Sequence, residues 1–279
     1  MPNHVTNQIE FYGNQKNINK IFKLIKGDNG YIDFNKIIPM PKTLNLTAGG
    51  YQNEAIIYAL SKKPIAEKLK IESTLKNKKV DFYGNYFNKI FNCNFNATEL
   101  EKRANQFEEQ LKGNEKDIFD SIDYEGLGIE TFEDLGNTYI NNIIKYGHDT
   151  WYEWSCKNWG TKWNAYNIYF DANNNVITFD TAWSCPLSVL NKLAEICYRY
   201  KVSFTGKWAD EDCGCNVGIF ESDCDRDEYW FAYEYIDDCS NEAYDIYVEL
   251  KGESECMGKD NDGNWVCFSC ECCPNKDHC

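Results

Sequence analysis

Apolar and polar side chains follow two different periods in the first fifty residues. His4–Tyr12 (HVTNQIEFY) partly alternates apolar with polar residues, which predicts a β-strand. Across Asn14–Lys26 the apolar residues recur at helical intervals, and Gly27 ends that pattern. Tyr31–Ile38 indicates a second extended segment. A strand, a helix and a further strand therefore predict half of a small α/β unit in an N-terminal segment, residues 1–52.

Residues 53–145 carry helical spacing, which predicts a helical insertion. Thr98 is expected to cap the third of its helices and Gly113 to end it. The four stretches with this spacing are NEAIIYALSKK, PIAEKLKIESTLK, NATELEKRANQFEEQLKG and TFEDLGNTYINNIIKYG.

The pattern changes to sheet after residue 160. Trp163–Asp171 and Val176–Trp183 flank an Ala-Asn-Asn-Asn turn and predict a β-hairpin. Pro186–Tyr200 then shows one apolar helical face. Together these elements predict an α+β domain over residues 146–250, with an antiparallel sheet covered on one face, followed by a Cys-rich tail, residues 251–279. The other strands expected in this domain are Lys201–Trp208, Gly214–Glu221 and Glu228–Ile236.

A tryptophan-rich block at Tyr146–Pro186 holds five of the eight tryptophans. Its strings WYEWSCKNWGTKWNAYN and ITFDTAWSCP, with the later KWADEDCGCNVG, resemble the YubB/Api92-like proteins (the DUF1281 family). The opening strings MPNHVTNQIEFYG and IDFNKIIPMP resemble the N-terminus of the same family. The resemblance implies a ferredoxin-like C-terminal domain and a phage or plasmid setting, and it supplies no catalytic residues. We therefore expect an α+β fold with ferredoxin-like antiparallel sheet domains and a helical insertion, and mostly buried, structural rings at Trp159 and Trp163.

Charge is distributed unevenly along the chain. Residues 1–100 carry 14 Lys and 8 Asp or Glu, whereas residues 101–279 carry 15 Lys or Arg and 36 Asp or Glu, for a total of −15. A negative surface repels nucleic-acid phosphate and attracts basic protein surfaces, although it also serves solubility alone. We expect an acidic binding surface in the C-terminal half. Its candidate residues are Asp210, Glu211, Asp212, Asp223, Asp225, Asp227 and Glu228.

The 14 cysteines favour reduced thiols or metal ligands, because no signal peptide or membrane-spanning run is recognised and an intracellular protein is expected. A Cys-x-x-Cys pair in the tail suggests structural zinc, with a reduced disordered tail and a disulfide-linked tail as alternatives. No other cofactor is expected. Cys213 and Cys215, near Cys224 and Cys239, fit a turn that enters a strand, with metal binding or redox activity as alternatives. The candidate zinc ligands are Cys256, Cys267, Cys270, Cys272, Cys273, His278 and Cys279.

Carboxylates provide the one enzymatic hypothesis. Asp180 and the Asp210–Asp212 run could form a divalent-metal cluster of the kind found in nucleases, but no base at a recognised spacing accompanies them. The favoured function is instead a non-enzymatic protein of a phage or mobile element that binds and inhibits a host protein complex, such as a nucleic-acid-directed defence system. Its partner is then a basic protein surface in the host cytoplasm, not nucleic acid or a membrane. The sequence leaves self-association open, together with a zinc-stabilised accessory binding protein.

Overall fold

The structure is a computed structural model that describes residues 3–28, 30–77, 97–112, 126–254 and 257–267. The chain divides into two compact units. We call Met1–Pro39 with Ser155–Cys279 the sheet unit, and Met40–Trp154 the helical unit.

A six-stranded antiparallel sheet organises the sheet unit, with the strand order β2-β3-β1-β4-β5-β6. The α+β class and the antiparallel sheet predicted from the sequence are confirmed. The strands are β1 (His4–Gly13), β2 (Tyr166–Asp171), β3 (Val176–Ala182), β4 (Val202–Ala209), β5 (Gly218–Asp223) and β6 (Trp230–Tyr235).

The N-terminal strand β1 lies in the middle of this sheet. Thr6 faces Asp180 of β3 on one side and Ala209 of β4 on the other. The strand expected at His4–Tyr12 is confirmed, but the predicted segment 1–52 does not form a unit of its own. Sequence patterns could not show this, because the partner strands of β1 are more than 160 residues away in the chain.

One face of the sheet is covered by two helices, α1 (Gln15–Ile25) and α8 (Leu187–Arg199). Asn14 caps α1 by accepting a hydrogen bond from the backbone N–H of Lys16. Both helices confirm the sequence prediction, and the stripe that each buries follows the helical period. The buried residues are Ile18, Ile21, Phe22 and Ile25 in α1, and Val189, Leu190, Leu193, Ala194 and Cys197 in α8.

The extended segment expected at Tyr31–Ile38 is wrong, because Phe34–Ile37 forms a short helix, α2. The carboxylate of Asp33 caps it by accepting from the N–H of Asn35. The Phe34 ring is fully buried against Trp159 and meets it edge to face. A capping Asp before a buried aromatic therefore outweighs the extended preference of the surrounding apolar residues.

Among the residues that the structure describes, the other face of the sheet is covered only at one end, by the helix α9 (Asn241–Lys251). Ser240 caps α9, whose Ala243 and Tyr244 pack in one apolar cluster with Ala209 of β4. A two-stranded hairpin, β7 (Met257–Lys259) and β8 (Trp265–Cys267), adds Met257 to this cluster. Neither α9 nor the hairpin was predicted from the sequence, although the Ser240 cap and the spacing of the buried apolar residues from Ala243 to Tyr247 do carry the signal for α9.

Where the structure describes residues 53–145, the helical unit confirms the helical spacing predicted from the sequence. At Gly136 a Cβ would lie 2.0 Å from the backbone oxygen of Ala55, so the helices α3 (Gln52–Lys62) and α6 (Phe132–Tyr146) approach too closely there for any side chain. A capping box of Thr131 and Asp134 begins α6. The described helices of the helical unit are α3 (Gln52–Lys62), α4 (Ile65–Asn77), α5 (Ala97–Leu111) and α6 (Phe132–Tyr146). The helix α7 (Trp151–Asn158) follows them in the chain.

Thr98 and Gly113 were expected to begin and end the third helix of the predicted insertion. Thr98 was expected to cap a helix, but it lies inside α5, which begins at Ala97. Gly113 lies outside the described residues. Within the described part of the chain, no helix is long and apolar enough to cross a membrane.

Candidate functional site

A groove of about 410 Å³ runs across the face of the sheet that the described residues leave uncovered. We call it the open-face groove. It forms because β1, β4 and β5 alternate, so that every second residue points away from the core that α1 and α8 cover. In β1, for example, Ile9 is buried while Gln8 and Glu10 line the groove. The lining residues are Gln8, Glu10, Thr205, Gly206, Lys207, Ile219, Phe220, Glu221, Ala232, Tyr233, Glu234 and Glu249.

The charge of the open-face groove is predominantly negative. Four carboxylates line it, from Glu10, Glu221, Glu234 and Glu249, against the single ammonium of Lys207. That ammonium forms an ion pair with Glu249 of α9. Three carboxylates therefore have no cationic partner in the described ion pairs, and the groove presents an excess of negative charge.

The floor of the groove is partly apolar. Ile219 is 37% exposed and lies beside the acidic residues. Gly206 has no room for a side chain, since a Cβ there would lie 2.2 Å from the backbone oxygen of Gln8 and 2.3 Å from the Phe220 ring. An apolar contact next to several carboxylates suits a partner that carries aliphatic stems ending in positive charges.

The candidate acidic surface from the sequence is only partly a surface. Asp225, Asp227 and Glu228 are exposed in the loop between β5 and β6. Asp223, at the end of β5, lies 3.4 Å from the Arg226 guanidinium, which also stacks on Trp230 at 3.9 Å. The positive charge of Arg226 offsets part of the negative charge of this loop, so the loop is less negative than its carboxylates alone suggest.

Asp210 is a correction to that prediction, because it is 4% exposed and does not belong to a binding surface. Its carboxylate accepts from the N–H of Glu211 at 2.6 Å and from the side-chain amide of Asn216 at 2.7 Å. It thus holds the turn that leads from β4 to β5. Glu211 is exposed and Asp212 half-buried; burial, and then the Asp210 and Glu211 charges, raise the pKa of Asp212.

The sequence did not single out Glu10, Glu234, Glu249 or Lys207. The alternation in β1 and β4 does contain the signal, since residues at even positions of β1 face outward. What the sequence could not provide is the neighbour order that brings β1, β4, β5 and β6 together on one face.

The carboxylates proposed as a metal cluster do come near one another, at the end of the sheet where β1 begins. The charges of Asp180, Asp210 and Glu211 all act on the ammonium of Lys251. Burial lowers the pKa of Lys251, and these three carboxylates oppose that shift. The Lys251 ammonium also donates to the backbone oxygen of His4 at 3.0 Å. The three acids therefore act electrostatically on an ammonium of this same chain.

The remaining contacts of this cluster are structural in character. Asp180 accepts from the Thr6 hydroxyl at 2.7 Å and from the Asn167 amide at 2.9 Å. The Tyr166 phenol lies 2.5 Å from Nδ1 of His4. Burial, and then the charges of Asp180 and Glu211, raise the pKa of Tyr166 to about 12, so the phenol is protonated at neutral pH.

Across the described residues, no group of three or more His, Cys, Asp or Glu side chains is placed to hold a metal ion. The hydrogen bonds and charges of this polar cluster instead connect the start of β1 to β3, to the loop after β4 and to the end of α9. The carboxylates of Asp180 and Asp210 both accept hydrogen bonds from neighbouring side chains or backbone N–H groups, so the cluster is a hydrogen-bonded network that holds these elements in place.

The tryptophans of the tryptophan-rich block lie in different environments. Trp159 is 3% exposed, and its indole N–H donates to the backbone oxygen of Ile38 at 2.9 Å, so the expected burial is confirmed. Trp163 is half-buried. The ammonium of Lys162 lies 4.6 Å from the Trp163 ring and 4.8 Å from the ring of Trp183, which is 40% exposed. The expectation that Trp163 is mostly buried is thus met only in part.

The predicted zinc ligands of the tail fall outside what the structure describes, except for Cys267, whose backbone ends β8. Those outside are Cys256, Cys270, Cys272, Cys273, His278 and Cys279. The zinc hypothesis therefore stays a prediction. Among the cysteines that stand alone in the sequence, Cys185 and Cys197 are buried, Cys156 is half-buried and Cys93 lies outside the described residues.

Comparison with known proteins supports the fold. Residues 159–254 match the family model described as the ferredoxin-like domain in Api92-like protein, which confirms the resemblance predicted for this part of the chain. The crystal structure of protein api92 from Yersinia pseudotuberculosis aligns over 83% of this chain and 98% of its own, at 9% identity and a TM-score of 0.37. An alignment at that TM-score supports no conclusion. A search of curated proteins found no match. The matched segment contains β2 to β6 and α9, and hence most of the open-face groove.

Proposed function

We propose that this protein is a binding protein and not an enzyme, and that its open-face groove docks onto a basic surface of another protein. The observation that carries the proposal is the excess of carboxylates in the groove, where only Lys207 opposes four glutamates. The exposed loop residues Asp225, Asp227 and Glu228 follow β5 directly and extend the same negative field.

The physical case rests on complementarity. Opposite charges across an interface speed the encounter of two proteins and orient them, more than they add to affinity. Four glutamates around a groove with an exposed Ile219 provide both the field and an apolar contact. A phosphate backbone would be repelled by the same field, which argues against direct binding of nucleic acid.

The partner we favour is a host protein complex that handles nucleic acid, because its substrate groove must itself be basic. A protein carrying −15 net charge can occupy such a groove and exclude the nucleic acid. The phage or plasmid setting implied by the family resemblance makes an antiviral defence complex in the host cytoplasm the natural target, with inhibition as the outcome.

A capture experiment with paired variants tests the proposal. The test variant carries Glu221→Lys and Glu234→Lys, which reverse two exposed charges on neighbouring strands of the groove. The matched control carries Glu101→Lys and Glu130→Lys, which reverse two exposed charges in the helical unit. Both changes alter the net charge equally, so nonspecific electrostatic capture responds equally to each.

We expect the parent and the control to capture the same basic protein complex from a host lysate in stoichiometric amounts, and the groove variant to lose it. Direct association of the purified pair should slow as salt rises, since charges are screened over about 8–10 Å at 0.1–0.15 M salt. Equal capture by both variants would place the partner elsewhere. Metal-dependent turnover of nucleic acid by the protein alone would contradict the non-enzymatic part of the proposal.

A second variant separates the loop from the groove. Asp223, Asp225, Asp227 and Glu228 changed to Lys should leave the fold intact, because the last three are exposed and Asp223 is only half-buried. If the loop contributes to the encounter, this variant associates more slowly at low salt. An unchanged on-rate would make the loop a solubilising segment and leave recognition to the groove.

A further inference from the structure

Two cysteines from separate loops of the sheet unit meet beside the N-terminus of α9. Cys215 lies in the loop between β4 and β5, and Cys239 lies between β6 and α9. Their sulfur atoms are 3.9 Å apart, and both residues are partly exposed. They are separated by 24 positions in the chain, so only the fold brings them together.

Backbone hydrogen bonds hold the two loops in this arrangement. The N–H of Cys239 donates to the oxygen of Gly214 at 2.9 Å, directly beside Cys215. The N–H of Asn216, on the other side of Cys215, donates to the carboxylate of Asp238 at 3.1 Å. The N–H of Ile236 donates to the oxygen of Val217 at 3.0 Å. Three bonds thus fix the register of the loops around the two thiols.

This geometry suits a disulfide. A disulfide needs its sulfur atoms about 2.05 Å apart, so the pair must approach by about 2 Å, a distance that rotation about the Cα–Cβ bonds supplies when the backbones are already close. Cys239 has a backbone φ of +59°, in the left-handed region, and the loops hold it there.

We propose that Cys215 and Cys239 are a reversible disulfide-forming pair that reacts with low-molecular-weight disulfides such as glutathione disulfide. The thiolate of one cysteine attacks a sulfur of the glutathione disulfide and releases one glutathione, leaving a mixed disulfide on the protein. The second cysteine, as thiolate, attacks the protein sulfur and releases the second glutathione. Two protein thiols are oxidised, one glutathione disulfide is reduced to two glutathiones, and a reduced dithiol reverses the reaction.

Neighbouring cysteines are less suited to the same reaction. Cys213 is buried, with its sulfur 3.3 Å from the sulfur of Met257. Cys197 is fully buried, and burial, followed by the nearby Cys224 thiol, raises its pKa far above the ordinary value, which withholds the reactive thiolate. Cys215 and Cys239 combine proximity with partial exposure.

The test uses the full chain, first reduced and then incubated with glutathione disulfide. Free thiols are blocked by alkylation, and the protein is digested with trypsin. We expect the peptide of residues 208–226 to be linked to the peptide of residues 227–251, in which Cys239 is the only cysteine. The linked pair should weigh about 2 Da less than the two peptides together, since each disulfide removes two hydrogens.

Variants identify the sulfur in the first peptide, which also contains Cys213 and Cys224. Cys215→Ser should abolish the link and leave Cys239 with a glutathione adduct, whereas Cys224→Ser should keep the link. If the link survives Cys215→Ser, the assigned pair is wrong. If both thiols resist oxidation until a chelator is added, and the protein carries zinc, they are metal ligands and the proposal fails. Alkylation of both thiols after prolonged oxidation would also overturn it.

Discussion

Replacing Asp149 by Asn should make the helical unit less sensitive to pH. Asp149 follows α6 and is only 3% exposed. Its carboxylate accepts from the side-chain amide of Gln52. Burial, and then the charge of Glu153, raise the pKa of Asp149 from the ordinary 3.8 to about 6, while the N–H groups of Asp149 and Thr150 and the charge of His148 oppose the shift.

The sign of the effect follows from proton linkage. The folded protein holds the Asp149 proton at pH values where the unfolded chain has released it, so stability falls as pH rises from about 3.8 to about 6. A shift of about two units corresponds to about 3 kcal/mol at most. Roughly 1.4 kcal/mol of this loss falls between pH 5 and pH 7.5.

Urea unfolding of the parent and of Asp149→Asn at both pH values measures this contribution. Asn cannot ionise, so the stability of the parent relative to Asp149→Asn should decrease by about 1–1.5 kcal/mol from pH 5 to pH 7.5. A constant offset between the two proteins, such as a lost hydrogen bond, cancels in that comparison. Asp28→Asn, which removes an exposed carboxylate, serves as the control and should show no comparable change. A pH-independent difference between the parent and Asp149→Asn would refute the reasoning.

Three further predictions concern the core and the tail. Leu190→Asp places a carboxylate in a fully buried position of α8 and should lower the free energy of unfolding by a few kcal/mol; an unchanged melting temperature would show that this face is not buried. Trp159→Ala should cost about 3–5 kcal/mol, and Trp163→Ala less, because Trp163 is half-buried; equal losses in a denaturant titration would contradict the difference in packing. Metal analysis of protein purified without added zinc should find at most one or two zinc ions per chain, and a ratio near zero with freely reactive Cys267 and Cys270 would leave a reduced tail.

The sequence predicted those parts of the fold that depend on local spacing. The period of α1 and α8, the hairpin of β2 and β3, and the strands β4 and β6 follow from neighbouring residues, and the structure confirms them. α2 was missed because a single capping residue, Asp33, decides its conformation. The strand expected from Gly214 begins at Gly218, because residues before it form the turn that Asp210 holds.

The candidate site depends far more on long-range order. A carboxylate count located the acidic half of the chain but could not separate buried Asp210 from exposed Glu234. Nor could it show that the charges of Asp180 and Asp210 both act on the ammonium of Lys251. Strand neighbours decide both, and the order of strands depends on the pairing of β1 with β3 and β4, which lie more than 160 residues away in the chain.

The central position of β1 sets an order of events during synthesis. One neighbour, β3, ends at Ala182 and the other, β4, ends at Ala209, so one edge of β1 stays unpaired until about 170 further residues have been added and the other until nearly 200. At about 5–20 residues per second, that interval is roughly 10–40 s. For most of it, an alternating apolar strand with two free edges is exposed, and the intervening helical unit, Met40–Trp154, is synthesised before either partner strand of β1. Of the described strands, β1 is made before all the others and is among the last to be paired, and until then its free edges are a place where pairing with other chains can begin.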